Sequence, residues 1–208
     1  MTPWNAFFDM LLPDVPGCPQ ASAVIALRQA AISFCEQSLA WREEHPDITV
    51  TAGTAKYLFQ PPGSAAVHAI TFAEFNDSQI ETRAMERDIS TWDRRHKTGT
   101  PEYVLGGSAS VTLAPTPDID GTLKMIVALK PSPNADGIDD NLFNEYREAV
   151  VHGALSKLML SPKKPYTDTA LAGYHSQLFM TMTACAGVRE VRNFNRAPLM
   201  TEITKRRI

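Results

Sequence analysis

The sequence predicts an α+β fold: an antiparallel α-helical bundle with an inserted small β-sandwich-like domain and an extended C-terminal arm. Three observations carry this. Apolar residues recur at three- and four-residue steps in three long segments, one near the N-terminus and two near the C-terminus. Between them lies a run of short β-prone stretches punctuated by Gly, Pro, Asn and Asp. The last residues, 196–208, are basic and have no convincing period. The expected divisions are 1–45 (N-terminal helices of the bundle), 46–137 (inserted β domain), 138–195 (C-terminal helix pair) and 196–208 (arm).

The first element is a short amphipathic helix over about residues 3–12, followed by a turn at Asp14-Val15-Pro16-Gly17. Pro19 suits the first position of a second helix, where its missing N–H costs nothing. Val24, Leu27, Ala31, Phe34, Cys35, Ser38 and Trp41 form one apolar stripe, so that helix is expected to run to about Glu44 and stop at His45-Pro46. Strands are expected over 47–51, 55–59, 67–75, 78–83, 103–105, 108–113 and 123–129. Asn76-Asp77 reads as a hairpin turn, as does Gly106-Gly107. A short charged helix is expected over 84–95, with Met85, Ile89 and Trp92 facing inward.

Residues 131–137 form a linker. Asp139 or Asp140 then caps a third helix. Phe143, Tyr146, Val150, Ala154 and Leu158 mark one face of it, and Val151, Leu155 and Met159 widen the stripe. Thr167 or Asp168 caps a fourth helix. Its stripe of Leu171, Tyr174, Leu178, Met182 and Cys185 is expected to pack against the third. The second, third and fourth helices are too amphipathic to stand alone and should close on one another.

The composition is that of an ordinary globular protein: 208 residues, 44% apolar and 21% charged. A net charge of -3 argues against a free-standing DNA-binding domain. The charge is uneven. Residues 1–140 hold 10 Lys+Arg against 18 Asp+Glu, whereas 141–208 hold 10 against 5. This fits a polar partner geometry or one end facing phosphate, and it also fits ordinary surface charge. Cys18, Cys35 and Cys185 are widely spaced, without a CxxC pair, which suggests reduced thiols in a cytosolic setting. Cys35 and Cys185 fall on apolar helix stripes as small core residues. The run Trp4–Leu12 is too short and too polar for a signal peptide or a membrane span.

The stretch Ser161–Asp168, "SPKKPYTD", has three readings: a minor-groove element, a serine–lysine catalytic pair, or a loop between helices. Catalysis by S-x-x-K needs one helical turn between the two residues, and Pro165 disfavours that conformation at Lys164. Minor-groove binders usually repeat S-P-K-K or back it with a basic domain. A proline-stiffened loop between two antiparallel helices fits best. His45, His68, His96, His152 and His175 have no metal-ligand spacing and read as surface or boundary residues. No phosphate-binding glycine loop and no G-x-S-x-G occurs. The residues therefore offer no catalytic constellation and call for no metal or cofactor, so a structural or interaction protein is expected rather than an enzyme.

Three stretches carry a resemblance. "LLPDVPGCPQ" precedes a long helix ending in "FCEQSLAWRE". "TWDRRHKTGTPEYVLGG" is followed by "SVTLAPTPDIDGTLKMIVALKPSP", with Trp92, Gly99, Pro101, Tyr103, Pro115, Pro117 and Asp118 in order. "YREAVVHGALSKLMLSPKKPYTDTALAGYHSQLF" gives a helix, a gap with an aromatic and an aspartate, and a second helix. In this order they resemble the tailed-bacteriophage head-to-tail adaptor family, the tail tubular protein A-like or neck connector proteins. Tyr166 stands where a tryptophan is more usual.

The resemblance covers nearly the whole chain. It implies a structural virion protein at the head–tail interface, assembled in the host bacterial cytoplasm with no membrane involvement. It further implies a homo-oligomeric ring, commonly of twelve subunits, below the portal protein. Such a ring would pass packaged DNA non-specifically and dock a downstream neck or tail protein. The arm residues Arg196, Leu199, Met200, Ile203, Lys205, Arg206, Arg207 and Ile208 would then meet the portal or a neighbouring subunit. Lys163 and Lys164 would face the channel or the portal. The alternatives are another neck protein, in a head-closure or tail-terminator role, and a ligand-binding β module. The C-terminal helix pair counts against the first, and the lack of any spacing that predicts a polar pocket counts against the second.

Overall fold

The structure is a computed structural model that describes residues 1–83 and 97–192. The expected 84–95 helix and the whole 196–208 arm lie outside the described residues. What remains is α+β, with long helices at both ends of the chain and strands between them.

The N-terminal strap begins with β1 (Thr2–Pro3). A 3-10 turn at Trp4–Phe7, helix α1 (Phe8–Leu11) and a second 3-10 turn at Leu12–Asp14 follow. The expected 3–12 helix is thus broken into short pieces. β1 pairs antiparallel with β12 (Gly137–Ile138). A Cβ on Gly137 would collide with the Thr2 carbonyl, so only glycine admits this approach. Trp4 Nε1 donates to the Ala135 carbonyl at 2.8 Å, and the Met1 ammonium lies 3.0 Å from Asp140. The 131–137 linker is therefore strapped down by the first four residues.

Helix α2 (Gln20–Ser38) buries Leu27, Ala31, Phe34, Cys35 and Ser38, as its stripe predicts. It ends six residues earlier than expected. Leu39 takes a left-handed conformation, φ 53. The Ser38 hydroxyl donates to the Phe34 carbonyl and accepts from the Ala40 N–H, which holds the turn. Trp41, which continues the helical spacing in the sequence, is buried in the link instead, and its carbonyl accepts from Leu129 N–H.

Arg42-Glu43-Glu44-His45-Pro46 then opens β2 (Arg42–Val50). That sheet has the order β2-β11-β4-β5, with β4 at Ala65–Phe75, β5 at Ser78–Gln79 and β11 at Gly121–Pro131. β2 is an edge, where a proline is tolerated. Pro46 and Asp47 together oppose Lys124, a bulge between the Ile48–Leu123 and His45–Met125 pairs. The extra residue keeps His45 and Ile48 on the buried face despite their odd spacing.

A second sheet has the order β3-β9-β8-β6. Its strands are Lys56–Leu58, Ser110–Ala114, Tyr103–Gly106 and Glu81–Arg83 respectively. Asn76 and Asp77 both have positive φ and turn β4 into β5, as the hairpin signal predicts. The single strand expected over 78–83 divides at Ile80, because β5 and β6 join different sheets. β7 (Thr98–Gly99) and β10 (Thr116–Pro117) form a short parallel pair.

Asp139 caps α3 (Asp140–Leu158), accepting from the N–H groups of Asn141 and Leu142. Asp168 caps α4 (Thr169–Val191), accepting from Ala170 and Leu171. Helices α2, α3 and α4 contact one another, and α2 also packs on β11. One buried cluster runs from Phe7 and Phe34 through Leu123, Val127 and Leu129 to Val150, Leu155 and Phe179. Glu36 pairs with Lys130 at 2.6 Å across the helix–sheet contact.

Candidate interaction surfaces

Helix α4 does not face inward as its apolar pattern predicts. Its buried residues are Ala172, His175, Phe179, Thr183, Ala186 and Glu190. The expected stripe is largely outside: Leu171, Tyr174 and Cys185 are exposed, and Leu178 and Met182 are half-buried. Cys185 is therefore not a core thiol, whereas Cys35 is.

Close approach decides the inward face. A Cβ on Gly153 of α3 would sit 2.8 Å from Phe179 Cδ2 and 2.9 Å from Ala30 Cβ. Three helices meet there with no space for another carbon, and α4 presents Phe179 to that point, with Ala172, Thr183 and Ala186 on the same face. The polar groups on that face have partners. Thr183 Oγ1 donates to the Phe179 carbonyl, Tyr146 donates to Glu190 at 3.3 Å, and His175 meets His152.

What remains outside is a helix surface with almost no charge. No Asp, Glu, Lys or Arg occurs from Thr169 to Val188, a length of about 30 Å at helical rise. Leu171, Tyr174, Met180, Val188 and Val191 are exposed large apolar side chains on it. Ala170, Gly173 and Ala184 between them are small. Single exposed apolar residues need no explanation, but an uncharged row along a whole helix marks a contact surface. No helix among the described residues is long and apolar enough to cross a membrane.

The loop between α3 and α4 has the expected character. Lys163 is left-handed, φ 59. Thr167 Oγ1 donates to the Ser161 carbonyl and accepts from Lys164 N–H, and Asp168 N–H donates to the Met159 carbonyl. Tyr166 is buried, and its hydroxyl contacts the Cys18 thiol; burial, and then that contact, push the phenol up. Pro165 Cγ approaches Gly17. The loop is thus pinned to the 15–18 turn, which gives Cys18 its place, while Lys163 and Lys164 stay exposed. Ser161 and Lys164 are tied into the loop through backbone atoms, with no helical turn between them. The arm residues Arg196 to Ile208 lie outside the described residues.

Two histidines differ from expectation. His45 is buried: its Nε2 accepts from Gln60 N–H at 2.8 Å, so its Nδ1 carries the hydrogen and donates to the Pro46 carbonyl at 2.7 Å. His175 is buried against His152. Neither was legible from spacing, because the partners are 15 and 23 residues distant. Among the described residues no group of three His, Cys, Asp or Glu could hold a metal ion. The hollow between the two sheets, about 370 Å³, is lined by Phe59, Val67, Ile70 and the Gly106–Ser108 turn, with His68 as its one titratable side chain.

The family model described as SU10 adaptor protein matches residues 9–199. No curated protein matches the chain. The matched span holds helix α2, both sheets, the helix pair and its loop, and the family is a structural class rather than an enzyme class. The chain belongs to the SU10 adaptor protein family, a family of phage head-to-tail adaptors.

Proposed function

We propose that this adaptor closes into a ring, of twelve subunits in the family pattern, beneath the portal of the capsid. The ring continues the DNA channel and docks the downstream neck or tail protein. The observation that carries this reading is the uncharged outer face of α4, which a lone subunit leaves exposed along most of a 23-residue helix. A ring supplies a neighbour for it. Contacts between unlike faces close into a ring when their rotation returns to the start.

In that assembly α2, α3 and α4 act as a bundle that packs between neighbours. The residues 46–137 form the inserted sandwich-like body on the outside or toward the tail. The arm, Arg196 to Ile208, reaches the portal or a neighbouring subunit. Lys163 and Lys164 face the portal or the passing DNA. The protein resides in the virion after assembly in the host cytoplasm, acts without a cofactor, and performs no catalysis.

The test is the native mass of the chain mixed with the portal protein of the same genome, beside each alone. Many copies per portal ring, with the chain alone remaining small, is the expected result. Failure to associate at low and moderate salt refutes portal docking. A Lys163→Ala/Lys164→Ala chain that assembles and packages DNA normally refutes the role given to that loop.

A further inference from the structure

Two histidines meet inside the α3–α4 hairpin. His152 Nδ1 and His175 Nδ1 are 2.9 Å apart. Their rings meet edge to edge, with centroids 5.0 Å apart and planes 27° from parallel, which aims an in-plane N–H at an in-plane lone pair. His175 is 8% exposed, and His152 is half-buried. At this separation one Nδ1 carries a hydrogen and the other offers a lone pair. The pair therefore has a definite proton capacity. One added proton settles on the Nε2 of the donor ring and leaves the bond intact. A second makes both Nδ1 atoms donors, and they then face each other with like charge at contact distance.

We propose that His152 and His175 form a one-proton latch between α3 and α4, closed while either Nδ1 is bare and forced open when the second proton binds. The latch depends only on the hairpin and not on ring assembly.

The groups around it sharpen the effect. Glu148 lies one turn earlier on α3, Asp14 faces His152 from the N-terminal strap, and the Tyr174 ring meets His175 edge-on at 5.4 Å. The two carboxylates favour the first proton. Burial, and then the His175 charge, nonetheless hold the His152 imidazole below its ordinary range. A base depressed on folding stabilises the fold above its unfolded value of 6.5. That stability is lost as the pH falls from there toward the folded value.

The direct test is nitrogen-15 imidazole NMR on the full, unmodified chain, from about pH 8 to about pH 5, across the ordinary histidine range. The expected spectrum at the upper end has one ring protonated at Nδ1 and its partner at Nε2, and the pair takes up protons in two separate steps. Two rings in the same Nε2–H tautomer, or two independent single-step titrations, overturn the proposal. His152→Asn keeps a polar group near the Nδ1 position but cannot titrate. The unmodified chain should lose about 2–4 °C more Tm than this variant over the same pH range. Equal losses also overturn it. The spectra come from the unmodified chain, so they decide even where the variant does not fold.

Discussion

Met180→Glu tests the outer face of α4 directly. Met180 is 64% exposed and is not among the buried residues of α4. In the subunit alone the change removes little packing, so its stability should move by no more than about 0.5 kcal/mol. In a ring the same position meets a neighbour. Burying the exposed two-thirds of a methionine is worth about 1–2 kcal/mol, since full burial of such a side chain brings about 1.5–3. The substitution forfeits that gain. It also brings a carboxylate into an interface where Thr169–Val188 supplies no cation, at a cost of at least about 3 kcal/mol. Together these are about 4 kcal/mol per contact, about a thousandfold in association. The assay is sedimentation velocity of the chain with the portal protein, paired with thermal unfolding of the chain alone. An unchanged Tm with loss of multi-copy binding is expected. Normal assembly by a folded Met180→Glu chain refutes the assignment of this face.

Gly153→Ala places its Cβ against Phe179 and Ala30. The gain in helix propensity, about 1 kcal/mol, is outweighed by about 1–3 kcal/mol of overpacking, so a Tm lower by about 2–4 °C is expected in calorimetry; a raised Tm shows that the helices can separate cheaply. Asp168→Ala removes the acceptor for Ala170 and Leu171 N–H and should cost about 1 kcal/mol in denaturant unfolding, whereas Thr167→Ala leaves that cap in place. A thiol reagent should label exposed Cys185 in the native chain and Cys35 only on unfolding, and assembly with the portal should protect Cys185. Burial, with Asp139 and Glu36 adding to it, pushes the Cys35 thiol up to about 12. An acid raised on folding contributes its full stability below the unfolded thiol value and loses it as the pH rises toward the folded one, so unfolding midpoints of the wild type should fall more steeply above about pH 9 than those of Cys35→Ala.

Local chemistry was enough for the elements whose signals are local. The Asn76-Asp77 and Gly106-Gly107 turns, the Asp139 and Asp168 caps, the α3 stripe and the hairpin loop at Ser161–Asp168 all follow from residues within a few positions of one another. The order of the three quoted stretches was enough for the family. The end of α2 was not legible, because Leu39, Ala40 and Trp41 continue an apolar stripe at helical spacing. Only the Ser38 hydroxyl, held between Phe34 and Ala40, and the bond from Leu129 of β11 to Trp41 turn these residues into a link to β2. The His45–Gln60 and His152–His175 pairs were hidden for the same reason: each joins residues that the chain separates widely.

The largest difference concerns α4, and its cause is geometric. The sequence by itself determined that 169–191 is a helix, where it is capped, and that Thr169–Val188 carries no charge. It could not choose the inward side, because apolar residues surround this helix and periodicity gives no unique answer. Tertiary structure chose by size. Where Gly153 and Ala30 bring α3 and α2 close, only the Ala172–Phe179–Ala186 side fits. That displaces Leu171, Tyr174 and Met180 to the surface.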